Sequence, residues 1–398
     1  MSVSRRTFVT ACTAAIGAIG VRPELGAWAG PQAQAPAPAP TGRGARPRMS
    51  VADYDAMVKL SANENNYGPP ETVIKAMTDS LKYANRYGAP DGGLVEAIAK
   101  LHGVKPENIL IGAGSGEILD VVGSAYLEGG RRVLGSDPTY GSVYQHATTI
   151  KSEGIRVPLR ADFTQDIPAL ITAAKFHYRD VGFVYLCNPN NPTGMVVSAK
   201  EVRQLLDGLP ADMPVLIDEA YHHFVTDPGY GTAMPYVLEG RQVVIARTFS
   251  KIAGLAGMRL GYGIAPKDMV DRMRPFATNS INLAVRWAGV AALADTEGQL
   301  KVQALNAQVR QRTTEALTAR GFTVLPSQAN FFMVEIKRDV TPVIQAFREK
   351  GIAVGRPFPP MTKHLRVSIG TDAEMTKFLD AFGEVMRPEK VSTAGGAV

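Results

Sequence analysis

The chain has 398 residues, 45% of them hydrophobic and 20% charged, with a formal net charge of +6. That length can bury one large core and a smaller one, and the composition is that of an ordinary globular protein. Residues 1–48 carry six arginines, no lysine and a single acid, Glu24, so all but one unit of the excess charge lies there, which removes any argument for a nucleic-acid-binding surface. The two cysteines, Cys12 and Cys187, exclude a disulfide framework and a thiolate zinc site.

The front end has its own grammar. Ser4-Arg5-Arg6-Thr7-Phe8-Val9 leads into a mild apolar run from Phe8 to Val21, and then Ala27-Trp28-Ala29. This resembles a twin-arginine export signal, and the run is too short to span a membrane. The expectation is a signal peptide over residues 1–29, read by the twin-arginine translocation machinery. It would deliver a folded protein to the periplasm, or leave it cytoplasmic if the leader is not functional. Ala33-Gln34-Ala35 offers a second cleavage pattern. Residues 30–48 read as a Pro/Ala-rich linker.

Residues 49–81 hold a polar, turn-rich arm, Leu60 to Pro70, and a first helix from Glu71 to Leu81 with Val73, Ile74, Met77 and Leu81 at helical spacing. Asn85-Arg86-Tyr87-Gly88 follows. Asn108 to Asp120 reads as strand, glycine turn, helix, and the free N–H groups of such a helix start suit a phosphate. A strand from Arg132 ends in Pro138-Thr139-Tyr140. Val181 to Cys187 is an apolar strand running into Asn188-Pro189-Asn190-Asn191-Pro192-Thr193-Gly194, where two prolines fix a turn able to aim one amide side chain. Pro214 to Ile217 ends in Asp218-Glu219-Ala220-Tyr221. His222 and His223 invite a metal reading, but neighbours on such a segment should point apart and no third ligand has a fixed spacing.

Gln242 to Ala246 and Leu260 to Ala265 read as buried strands, and between them lies Arg247-Thr248-Phe249-Ser250-Lys251, continuing through glycine-rich sequence to Arg259. A partly desolvated lysine can form a Schiff base with a carbonyl, and hydroxyls with a guanidinium nearby suit a phosphate dianion. A carbonyl and a phosphate on one molecule suggest pyridoxal 5′-phosphate (PLP). Asn282 to Gly321 is helical, a long helix linking two domains followed by more helix. Strands at 321–326 and 330–335, a helix at 341–350 and strands at 352–354 and 364–370 make a second α/β layer. The tail, 388–398, has no pattern.

Taken together, the lysine loop, the Asn188–Gly194 turn, the Asp218–Tyr221 strand end, the glycine turn and His364-Leu365-Arg366-Val367-Ser368 resemble the fold-type I PLP-dependent aminotransferases of classes I and II. The histidinol-phosphate aminotransferase branch is the closest match, over about residues 60–382. The resemblance implies a large, seven-stranded, mostly parallel sheet domain (82–284) and a smaller C-terminal α/β domain (285–387). It implies a homodimer in which Tyr87 reaches the partner's cofactor phosphate. Ser115, Gly116, Glu117, Thr248, Ser250 and Arg259 would surround the phosphate. Tyr140 would stack on the pyridine ring, and Asn191 and Tyr221 would bond the ring oxygen. Asp218 would keep the ring nitrogen protonated, Lys251 would hold the aldehyde and move protons, and Arg366 would bind the substrate's anion with Asn191 nearby and Arg356 as a second contact. The implied reaction moves an amino group from a histidinol-phosphate-like donor to a 2-oxo acid such as 2-oxoglutarate. Transamination of aromatic or other amino acids, and decarboxylation of a phosphorylated amino acid, are the alternatives.

Overall fold

The computed structural model describes residues 49–387. The expected export signal, the linker and the tail lie outside these residues. Residues 52–387 form one compact unit.

Its centre is a seven-stranded sheet. The strands are β2 (Ile109–Gly112), β3 (Arg132–Asp137), β4 (Gly154–Pro158), β5 (Val181–Cys187), β6 (Val215–Asp218), β7 (Val243–Thr248) and β8 (Gly261–Ile264), ordered β2-β8-β7-β6-β5-β3-β4. Every pairing is parallel except those of β8, which runs antiparallel to both β2 and β7. The mostly parallel seven-stranded sheet expected from the sequence is therefore present. All seven residues of β5 are buried, as a strand covered on both faces requires. Alternation divides them: Val184 and Leu186 face one core, with Ile217 and Ile245, while Phe183 and Tyr185 face the other, with Leu216 and Val244.

A second layer holds an antiparallel sheet, β12 (His364–Ser368)-β10 (Phe331–Glu335)-β9 (Thr323–Val324), over a core containing Phe332, Phe347, Phe378 and Phe382. The arm contributes to this layer. Its strand β1 (Val58–Leu60) pairs in parallel with β11 (Ile352–Val354), so sequence-distant ends share one sheet.

Two local boundaries are fixed by the structure. The helical run after Asn282 is two helices, Leu283–Ala294 and Thr296–Thr318, because the Asp295 carboxylate accepts the Gly298 N–H and starts a new helix. Strand β7 also extends through Arg247 and Thr248, which shortens the lysine loop.

Candidate active site

The carboxyl ends of β5, β6 and β7 open onto a cavity of about 340 Å³, the position an open parallel sheet offers a ligand. Every predicted site residue except Glu117 and Tyr87 lines it.

One end is a cradle for an anion. The helix Ser115–Tyr126 begins there without a side-chain cap, leaving its first N–H groups free. Thr248 Oγ1 lies 2.9 Å from Ser250 Oγ, and Arg259 Nη1 donates to Ser250 Oγ at 3.3 Å. Arg259 itself has φ +58. Gly114 lets it lie close, since a Cβ there would sit 2.3 Å from Arg259 Nη2. A Cβ on Gly261 would meet the Ser115 amide nitrogen at 2.2 Å. Both glycines thus keep cation, hydroxyls and amides around one space.

The floor carries Asp218, 3% exposed. Burial raises its carboxyl to about 6, opposed by the Ala220 amide and the Tyr185 phenol, which donates to Oδ2 at 3.2 Å. Above it, Lys251 Nζ donates to the Ala62 carbonyl at 3.0 Å. Desolvation and the Arg366 charge lower this amine to about 8, while the carboxylates of Glu64 and Asp218 pull the other way. Tyr140 is 41% exposed at the rim.

The opposite wall is a hydrogen-bonded chain. Arg366 Nη1 donates to Asn191 Oδ1 at 2.7 Å and its Nη2 to the Ser61 carbonyl at 2.7 Å. Asn191 Nδ2 donates to the Tyr221 hydroxyl at 3.2 Å. Arg366 is 7% exposed, lies over the Phe358 ring at 4.5 Å and keeps an unpartnered buried Nε. No acid pairs with it among the described residues. Arg356 also lies over this ring, 4.3 Å from its centroid, and lines the cavity. Gly355, between strand and arginine, is where β12 passes, its N–H donating to the Arg366 carbonyl at 2.9 Å.

Two expectations differ. Glu117 does not reach the cavity; its carboxylate accepts the Ala113 N–H at 2.6 Å and both the N–H and hydroxyl of Thr278, so it pins the glycine turn instead. Tyr87, whose expected role is toward the partner's cofactor, is fully exposed and lies outside its own chain's cavity. His222 and His223 do not point apart: they lie in a 3₁₀ turn with ring centroids 3.7 Å apart. Among the described residues no group of three or more His, Cys, Asp or Glu is placed to hold a metal.

Sequence reasoning missed Asn63 and Glu64, which the arm brings into the cavity. Their polarity marked a loop, and nothing local showed which side chains turn inward. It also left Glu219 without a partner. Arg247 Nη2 meets it at 2.7 Å, both side chains buried, directly beneath the lysine loop.

The cavity suits PLP in three respects: the anion cradle, a lysine whose amine is lowered to about 8, and a buried carboxylate that no cation pairs with among the described residues. A profile of the family described as aminotransferase class I and II matches residues 55–382. The histidinol-phosphate aminotransferase of Moorella thermoacetica is 36% identical over 340 residues, covering 83% of this chain and 86% of that one. Among solved structures, a putative histidinol-phosphate aminotransferase from Erwinia carotovora atroseptica superposes with a TM-score of 0.79 at 29% identity, over 83% of this chain and 96% of that one. The Sinorhizobium meliloti histidinol-phosphate aminotransferase, solved in complex with pyridoxal 5′-phosphate, gives 0.76 at 29%, over 83% and 90%. With profile, relatives and cavity in agreement, the chain belongs to the class I and II aminotransferases and is a PLP-dependent transaminase.

Proposed function

We propose that this transaminase takes its amino group from a donor that carries a phosphate or carboxylate, of the histidinol-phosphate type, and passes it to a 2-oxo acid. The observation that carries this reading is the pair Arg366 and Arg356, two guanidiniums that line the cavity and lie over the Phe358 ring, with no acid paired to either among the described residues. A dianion or a carboxylate is the complement such a pair requires. The matching relatives support the same substrate class.

Bound PLP supplies an aldehyde for the amine and a protonated ring that withdraws electrons from the donor's Cα–H bond. The Lys251 amine would hold the aldehyde and then, once displaced by the donor, carry the proton away from Cα. Ionised Asp218 would keep the proton on the ring nitrogen. Asn191 and Tyr221 would face the ring oxygen, and Tyr140 the ring. The free amides of Ser115 and Gly116, with Thr248, Ser250 and Arg259, would hold the phosphate. Arg366 would orient the donor by its anion, so that Cα–H lies within reach of Lys251.

The active unit in this reading is a homodimer, supported by a Tyr87 that is wholly exposed in its own chain. Residues 1–29 would direct export to the periplasm; replacing Arg5 and Arg6 by lysine should trap the protein in the cytoplasmic fraction.

The deciding experiment loads the purified protein with PLP and screens amino donors, phosphorylated and not, against several 2-oxo acids. Oxo product without carbon dioxide, and a preference for an anionic imidazolyl donor, is the expected result. Release of carbon dioxide without an acceptor, or a preference for neutral aromatic donors, would reject the substrate assignment.

A further inference from the structure

The segment Ser61-Ala62-Asn63-Glu64 touches every moving part of the site. The Ser61 carbonyl accepts from Arg366 at 2.7 Å, the Ala62 carbonyl accepts from Lys251 at 3.0 Å, and Asn63 Nδ2 donates to the Tyr221 hydroxyl at 3.1 Å. Asn63 is the most constrained of the four. It is 1% exposed and has φ +55, a left-handed conformation uncommon outside glycine and tolerated best by Asn and Asp. Its N–H donates to Ser368 Oγ at 2.8 Å, its Oδ1 accepts from the same hydroxyl at 2.9 Å, and its carbonyl accepts from Asn330 Nδ2 at 3.0 Å. A buried, strained residue with this many bonds is over-determined, and such strain gathers at functional positions.

The donor and acceptor inventory gives the network a direction. Guanidinium groups only donate, so Arg366 fixes Asn191 with Oδ1 outward and Nδ2 toward Tyr221. The Ser368 hydroxyl accepts the Asn63 N–H and so donates its own proton to Oδ1, which turns Asn63 Nδ2 toward Tyr221 as well. Both lone pairs of the Tyr221 oxygen are therefore occupied by amide N–H groups. Its own proton has no acceptor in either asparagine and is left to be donated into the cavity.

We infer that Asn63 is a positioning residue: with Asn191 it saturates the Tyr221 oxygen as an acceptor, so that the phenol serves the cofactor side purely as a donor. The tie is also mechanical. Arg366 and Ser368 stand two apart on β12, and Ser61 and Asn63 stand two apart on the arm, so two rungs lock the anion-binding strand to the segment that orients the phenol. Motion of β12 reaches Tyr221 through Asn63.

This rests on the reading that Tyr221 donates to the ring oxygen of bound PLP, and the test separates the two. The quantity measured is the pH midpoint of the holoenzyme's visible absorption band. A donor to the ring oxygen favours its ionised form, so losing that donor raises the midpoint. Asn63→Gly, which accepts the backbone angle, should raise it by about half to one unit, a three- to tenfold change in proton affinity. Tyr221→Phe should raise it by about one unit or more, and Asn63→Gly added to Tyr221→Phe should change it no further. Equal shifts by Asn63→Gly in both backgrounds, or none in either, would overturn the positioning role while leaving Tyr221 in place. No shift from Tyr221→Phe would remove the underlying reading and this inference together. If Asn63→Gly does not fold, Asn63→Asp, which keeps shape and tolerates the angle, goes through the same cycle. Its shift should be at least twice as large with Tyr221 as without it, and a smaller ratio overturns the proposal.

Discussion

Arg366 and Asn191 lie 175 residues apart in the chain and meet through a 2.7 Å hydrogen bond in the cavity wall. Because a guanidinium can only donate, the contact sets which way the Asn191 amide faces and so links the anion site to the Tyr221 phenol. Lysine in place of Arg366 keeps the charge but cannot hold Asn191, Ser61 and a substrate anion from one plane. Arg366→Lys should lower kcat/KM by about 10²-fold or more, the scale of breaking a buried hydrogen-bonded charge contact. Steady-state kinetics over a donor series check this. A larger loss for anionic than for neutral donors is expected.

Lys251→Ala should fold with unchanged far-ultraviolet circular dichroism and bind PLP only non-covalently. Borohydride reduction followed by peptide mass analysis should label Lys251 in the parent and nothing in the variant. With the proton carrier gone, kcat should fall by about 10²- to 10⁴-fold.

Uptake of PLP by the apoprotein needs the neutral amine of Lys251. That amine is protonated below its pKa of about 8, so the rate of covalent capture should rise with pH and level off above about 8. The Glu64 carboxylate raises this value. Glu64→Gln should therefore move the whole profile to lower pH, measured by stopped-flow absorbance.

Asp218 should stabilise function at the expense of the apoprotein. An unfolded aspartate ionises near 3.8 and this one near 6, so the folded state holds the proton more tightly. Its contribution to stability then falls as pH rises from about 4 to about 6 and stays low above that. Asp218→Asn should make the apoprotein more stable at pH 7.5, by about 2–3 kcal/mol at most, with little gain at pH 4. Urea melts at both pH values test this. The same variant should bind PLP more weakly, since the ring nitrogen loses its carboxylate.

The stacked histidines predict the opposite slope. Desolvation and the nearby Arg247 charge hold His223 at about 3 and His102 at about 4, with His222 also well below 6.5. Unfolded histidines take up protons at 6.5 while these resist, so stability present above pH 6.5 should be lost progressively as pH falls toward 3. His223→Gln should flatten the decline in melting temperature between pH 6.5 and 4.5.

The sequence alone determined six of the seven central strands and what stands at their ends, but not β4. β5 was readable to the residue because a run buried on both faces is uniformly apolar, and Asn191, Asp218 and Lys251 could be located because prolines, a strand-end acid and a glycine-rich loop are local signals. Its resemblance to a family also supplied the roles expected of Arg259 and Arg366. Only the tertiary structure decided what depends on contacts across hundreds of residues. It withdrew Glu117 from the cavity by giving it Ala113 and Thr278, stacked two histidines that were expected to diverge, paired Glu219 with Arg247, and folded the arm so that β1 joins β11 and Asn63 reaches Tyr221. A polar side chain on a loop has no periodicity to reveal its direction. That direction is set by whichever donors and acceptors the rest of the fold brings within about 3 Å, and no stretch of sequence contains them.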